Sequence, residues 1–89
     1  MLIEKFIEYL RVEKNYSIHT TTAYKTDLNN FNDFLIQSGT KTKIENIDYK
    51  VIRSWIVKMV NDNISNRTIN RKISSLKSFY KFLIKTDTI

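Results

Sequence analysis

An all-α fold, a compact bundle of four helices in one domain, is what this sequence predicts, and three observations predict it. Proline is absent and Gly39 is the only glycine, whereas a sheet needs turn punctuation every ~8 to 12 residues. Apolar residues recur at the i, i+3, i+4, i+7 spacing of a helical stripe in four separate stretches. The third observation is length: 89 residues make a single domain, able to bury somewhat over ~60% of the surface its unfolded chain exposes. With 42% hydrophobic residues spread through the chain, neither a disordered nor a low-complexity class fits.

The first helix is expected from about Leu2 to Lys14, with Ile3, Phe6, Ile7 and Leu10 as its apolar stripe. Ser17 then supplies an N-cap hydroxyl for a free amide of the next helix. That second helix runs to about Ser38 and stops at Gly39, which suits the left-handed position past a helix end. On it Tyr24, Leu28, Phe31 and Leu35 form one line with Phe34 beside them, while Thr22, Lys25, Thr26, Asn29 and Asp33 point the other way. TKTKIENI, residues 40–47, is polar and aperiodic and reads as the one long loop. Asp48 caps a third helix to about Asn61, with Ile52, Trp55, Ile56 and Met59 inward. A turn follows through Asp62, Asn63 and Ile64, where Asn63 can take the left-handed conformation. Ser65 caps a fourth helix that continues to about Lys85, and three short joints among four helices mean a bundle.

The net charge of +6 is concentrated in one place. Residues 1–64 hold nine Lys or Arg against eight Asp or Glu, residues 65–86 hold six against none, and Asp87 subtracts one. Projected at about 100° per residue, Ile69, Ile73, Leu76, Tyr80, Leu83 and Ile84 fall on one side of the fourth helix. Arg67, Asn70, Arg71, Ser74, Lys77, Ser78, Lys81 and Lys85 fall opposite. That face offers only cations and small hydrogen-bonding groups, the types that phosphates and base edges accept. Its length, roughly 31 Å at 1.5 Å per residue, approaches one turn of B-DNA. A solvated helix can also be cationic, but here no acid within the helix compensates, and Ser or Asn fills the gaps where Glu, Gln or Ala is usual. An anionic membrane or an acidic protein partner would also suit a basic amphipathic helix, yet the apolar side is needed for the bundle core. Thr22, Lys25, Thr26 and Asn29 of the second helix form a companion polar surface, and His19 near the cap is expected to be exposed.

Several classes of chemistry find no residues here. Without Cys and with one His there is no disulfide, thiolate site or zinc cluster to expect, and no cofactor or metal is implied. No run approaches the roughly 18 apolar residues of a membrane span, and the N-terminus does not read as a signal peptide, so a reducing, cytoplasmic setting fits and no membrane association is expected. Paired catalytic carboxylates, a phosphate-cradling Gly-rich loop and a nucleophile elbow are missing, and with them a small-molecule substrate. Tyr24 and Tyr80 fall on apolar stripes, their hydroxyls at the rim, and Tyr9, Tyr16 and Tyr49 have no base close in sequence to activate them. Trp55 reads as a core anchor and Phe82 lies at the edge between the two faces of its helix.

KNYSIHTTTAYKTDLNNFNDFL, residues 14–35, resembles a segment of the tyrosine recombinases and phage-type integrases, the Xer-like site-specific recombinases among them, at Ser17, Thr20, Tyr24, Asp27, Leu28, Phe31, Phe34 and Leu35. SNRTINRKISSLKSFYKFLIK, residues 65–85, is similar to the closing helix of the same domain, at Arg71, Ile73, Ser74, Leu76, Lys77, Phe79, Tyr80 and Phe82. The two motifs keep their order and separation, and the resemblance covers nearly the whole chain. It implies an N-terminal, SAM-like core-binding domain, one jaw of a clamp on duplex DNA with its second and fourth helices toward the major groove. Thr22, Lys25, Thr26, Asn29, Arg67, Asn70, Arg71, Ser74, Lys77, Ser78 and Lys81 are then the expected DNA-binding residues, and other recombinase protomers on the DNA the expected protein partners. In that family a separate C-terminal domain forms a 3′-phosphotyrosyl link, and its Arg, His-x-x-Arg and Tyr motifs are not in this sequence. The domain would span residues 1–86, with residues 87–89 starting the linker to that absent catalytic domain. The same basic helix also suits a protein-interaction module that meets an acidic partner.

Overall fold

Four helices form where the apolar stripes and, for the last three, the caps predict them in the computed structural model, which describes residues 2–88: α1 (Leu2–Val12), α2 (Ile18–Gln37), α3 (Tyr49–Asn61) and α4 (Asn66–Lys85). The hydroxyl of Ser17 accepts from the Thr20 amide at 3.2 Å, Asp48 from the Lys50 amide at 3.1 Å, and Ser65 from the Thr68 amide at 3.2 Å. Each satisfies one of the amides a helix start leaves without a partner.

Helix ends share a second device. Asn15, Gly39, Asn63 and Asp87 all have positive φ, at 56°, 75°, 61° and 56°, and each stands just past a helix. After α2, α3 and α4 the following amide closes back on the last turn, Thr40 on the Leu35 carbonyl, Ile64 on Met59 and Thr88 on Leu83. These are Schellman closures, which occupy carbonyls that would otherwise be orphaned. After α1 the closure is wider, Tyr16 donating to the Leu10 carbonyl at 3.0 Å. Asn15 therefore ends the helical hydrogen bonding before Lys14, and α1 is two residues shorter than its periodicity predicts. The chain beyond α4 turns back onto it through Thr88, and Met1 and Ile89, the outer limits of the expected domain and linker, lie outside the described residues.

α4 packs against all three other helices, and α1 against α2. The core runs from Ile3, Phe6 and Leu10 through Leu28, Phe31 and Leu35 to Trp55, Met59, Ile69, Leu76, Phe79 and Leu83. Phe6 touches Phe79 at a centroid distance of 5.5 Å and Phe82 at 5.4 Å, and Phe31 meets Trp55 at 4.9 Å. Trp55 is thus the anchor expected, and Phe82, half-buried against Phe6 and Tyr9, is a bundle residue. Residues 40–47 are less free than their polarity suggests. They contain a 3-10 turn, Ile44–Asn46, Ile44 and Ile47 pack on the core, and the Tyr80 hydroxyl donates to the Ile44 carbonyl at 2.6 Å.

One expectation for α4 is corrected. Phe79 is wholly buried and Ile84 is 61% exposed, whereas the apolar projection put Ile84 inward and omitted Phe79. The inward set is Ile69, Lys72, Ser75, Leu76, Phe79 and Leu83, whose centre is turned by roughly 60° at 100° per residue from the purely apolar stripe. Two polar residues, Lys72 and Ser75, lie on the buried side, and their reason for being there lies on α2.

Candidate nucleic-acid interface

The exposed ridge of α4 carries Arg67, Asn70, Ser74, Lys77 and Lys81. Arg67, Lys77 and Lys81 pair with no acid among the described residues. Ser78 is half-buried, lining with Lys81, Lys85, Tyr9 and Tyr16 a recess where α4 meets the end of α1. Lys85 closes that recess by donating to the Tyr9 hydroxyl at 3.2 Å.

Arg71 differs from the other cations of the ridge because it has a carboxylate. Asp27 of α2 is 1% exposed, and its Oδ1 accepts from Arg71 Nη2 at 2.8 Å while its Oδ2 accepts from Arg71 Nε at 3.2 Å. Lys72 Nζ donates to Oδ1 at 3.3 Å and Ser75 Oγ to Oδ2 at 2.8 Å. Ser75 also lies 3.2 Å from the Arg71 carbonyl, but a hydroxyl has one proton, and the shorter contact to a charged acceptor takes it. Taking a lone carboxylate out of water costs several kcal/mol, so Asp27 can be buried only because α4 brings two cations and a hydroxyl to it. Among the described residues no buried side-chain nitrogen or oxygen lacks a partner.

The charge of α4, which no acid within the helix compensates, is therefore matched in part from outside it: the acid is on α2. Sequence reasoning noted Asp27 only within a motif, although a signal was present. Asp27 is three residues after Tyr24 and four before Phe31, which is the inward register of a helix. An acid in that register demands buried cations from a neighbouring element.

The α2 residues divide. Thr22, Lys25, Thr26 and Asn29 are all exposed, but Lys25 lines a recess with Glu4, Ile7, Glu8 and Arg11 of α1, so it belongs to the α1 edge beside two carboxylates. Thr22 and Asn29 project about 140° to 160° from Asp27, away from the α4 contact. His19 and Thr20, which the charge pattern did not assign, line with Ala23, Tyr24, Arg71 and Ser74 a recess between α2 and α4. The structure thus joins Arg71 and Ser74 with His19 and Thr20 of the first turn of α2, carries the exposed ridge along α4 through Arg67, Asn70, Lys77 and Lys81, and leaves Lys25 on the α1 side.

Tyr80 shows how far the tyrosines are from a nucleophile. Burial, helped by the nearby Glu45 carboxylate, pushes its hydroxyl up to about 12, and that hydroxyl is spent on the Ile44 carbonyl. No helix among the described residues is long and apolar enough to cross a membrane.

The family described as "Phage integrase, N-terminal SAM-like domain" matches residues 3–87. Among curated proteins, the chain is 42% identical over 83 residues to the tyrosine recombinase XerC of Oceanobacillus iheyensis, covering 93% of this chain and 27% of that protein. It is 38% identical over 88 residues to XerC of Listeria monocytogenes serotype 4a, covering 99% of this chain and 29% of the relative. XerC of Rickettsia felis is 39% identical over 89 residues, covering 96% of this chain and 29% of the relative. The chain therefore spans less than a third of the length of these relatives. No solved structure matches it. An all-α bundle whose whole length follows the family pattern belongs to the phage integrase N-terminal SAM-like domain family.

Proposed function

We propose that this chain is the DNA-binding clamp domain of a tyrosine site-specific recombinase, holding duplex DNA with the ridge of α4 and the adjoining turns of α2. Residues 1–86 make up this module and residues 87–89 begin the linker to a catalytic domain that cleaves and rejoins the DNA; the module itself works in the cytoplasm and performs no chemistry. The observation that carries the reading is the exposed α4 ridge, where cations alternate with Asn70 and Ser74 and no acid occurs in the helix's 20 residues. Arg67, Lys77 and Lys81 contact phosphates, and Asn70 and Ser74 between them donate to or accept from the groove.

This reading sets a salt dependence. With Arg71 matched by Asp27 and Lys25 turned toward α1, about three phosphates are neutralised, so log K falls with log salt at a slope near −2.7. Fluorescence anisotropy of a labelled duplex across a salt series measures it, at affinities of about 10⁻⁴ to 10⁻⁶ M for a non-specific complex. Reversing both Lys77 and Lys81 to Glu brings the slope to about −0.9 or shallower. A flat titration for the unaltered chain refutes the reading.

One observation favours a second reading, a protein-contact module used between recombinase protomers or with an acidic partner. Tyr49 and Ile52 of α3 with Ile73, Tyr80 and Ile84 of α4 line an apolar groove bordered by Lys77 and Lys81. If Lys77→Glu/Lys81→Glu abolishes self-association in sedimentation while DNA affinity is unchanged, this second reading replaces the first.

A further inference from the structure

We propose that Arg71 reads a guanine, and that Asp27 is the positioning residue that aims it; this rests on the DNA-binding reading above. An arginine has five N–H donors in one plane. Asp27 takes two of them, on Nε and Nη2, which is the side-on fork. The end-on fork, one N–H from each of Nη1 and Nη2, is left free, parallel and in the same plane. The side chain is 54% exposed, at the recess it shares with His19, Thr20 and Ser74.

The plane of that fork is fixed from behind. Asp27 is itself held by Lys72 and Ser75, so the guanidinium is tied to two helices at once and its rotamers are restricted before any DNA arrives. Guanine presents O6 and N7 as two adjacent acceptors in the major groove, the geometry a planar fork fits, whereas adenine places an amino donor where O6 would be. The charge balance points the same way. Asp27 cancels one of the two cations it holds, so the cluster keeps a single positive charge shared by Arg71 and Lys72, whereas Arg67, Lys77 and Lys81 have no acid partner among the described residues and each keep a whole one. What Arg71 keeps is direction, and direction serves base edges.

The test is selection of this chain on a pool of randomised duplexes at low salt, followed by sequencing of the bound fraction. The wild type enriches guanine at one position, by about 5- to 150-fold over the other bases. Arg71→Lys, which keeps the charge but loses the planar fork, binds with a similar salt slope and a reduced enrichment, because an ammonium can still donate to O6 or N7 but is not held in the plane of the base. Arg71→Ala loses the enrichment altogether, and its slope stays within less than one phosphate contact of the wild type. Asp27 is tested by the Arg71 Nε–H resonance in ¹H–¹⁵N spectra: protected in the wild type, exchanging in Asp27→Asn, with guanine enrichment lost at a temperature where circular dichroism shows that variant folded. Guanine enrichment retained by Arg71→Ala, or a uniform loss of affinity in Arg71→Ala with the slope shallower by about 0.9, overturns the inference while leaving the DNA-binding reading in place. A folded Asp27→Asn that keeps the enrichment overturns the positioning role. Failure of the wild type to bind any duplex overturns both.

Discussion

Replacing Asp27 by Asn tests whether the bundle depends on its buried carboxylate. Arg71 is 54% exposed and can return to water, but the Lys72 side chain is only 10% exposed and has no other acid within reach among the described residues. Removing one member of a buried pair costs about 3–5 kcal/mol, because the remaining charge stays desolvated and uncompensated. An 89-residue domain holds on the order of 4–13 kcal/mol in all, from about 0.05–0.15 kcal/mol per residue. The substitution thus removes a large share of the stability, and at about 4–8 °C per kcal/mol for a domain of this size the melting temperature falls by roughly 12–40 °C. Thermal unfolding followed at the helical circular dichroism band reads this directly. Adding Lys72→Met separates charge from packing: the double variant has no unpaired buried charge, the Ser75 hydroxyl falls back on the Arg71 carbonyl 3.2 Å away, and most of the lost stability returns, since apolar replacement of a buried pair is often neutral or better. An Asp27→Asn variant within about 1 kcal/mol of wild type, or a double variant no better than the single, refutes the argument.

Three further outcomes follow from the same packing. Phe79→Ala, at a wholly buried ring, costs about 3–5 kcal/mol, and Ile84→Ala, at a largely exposed position, costs under about 0.5 kcal/mol; denaturant midpoints that reverse this order restore the apolar projection of α4. Because the Tyr80 hydroxyl is pushed up to about 12 from an unfolded value near 10, its contribution is fully present below pH 10. Over pH 10–12 the unfolded chain gives up the proton that the folded chain keeps, so stability falls as pH rises, and the fall is smaller in Tyr80→Phe than in wild type when both are melted across that window. Asn63→Ala, which puts a Cβ-bearing residue without a local hydrogen-bonding side chain at φ 61°, costs about 1 kcal/mol in the same melts.

Elements were legible wherever a local rule sufficed. Ser17, Asp48 and Ser65 act as caps because the amide each satisfies is two or three residues away, and Gly39 and Asn63 end helices through their own backbone angles. Residues 40–47 were legible as a non-helical connection but not as a packed one, because the bond that holds them comes from Tyr80, 36 residues beyond Ile44. The candidate site was legible as a set of exposed cations on α4, but its division was not. Whether Lys25 faces α4 or the carboxylates of α1 depends on how the helices are arranged in space, and periodicity within α2 carries no such information.

The rotation of α4 and the fate of Arg71 have one cause. Had the apolar residues alone set the face, Ile73, Tyr80 and Ile84 would be central and Lys72 and Ser75 would point to water. Burying Asp27 requires donors from α4, and Arg71, Lys72 and Ser75 occupy consecutive positions along one edge of that helix, separated by one and three residues. Turning that edge toward α2 also brings Phe79 inward and leaves Ile84, with Ile73 and Tyr80, lining a groove against α3. It turns Arg71 from the middle of the cationic ridge to its α2 side, where His19 and Thr20 lie. The cations of a one-sided helix are consequently divided by what holds them: Arg67, Lys77 and Lys81 have no acid partner among the described residues, and Arg71 is fixed in orientation by Asp27. On the DNA-binding reading proposed above, the salt slope and the base preference are then set by different residues, and substitution changes either one without the other.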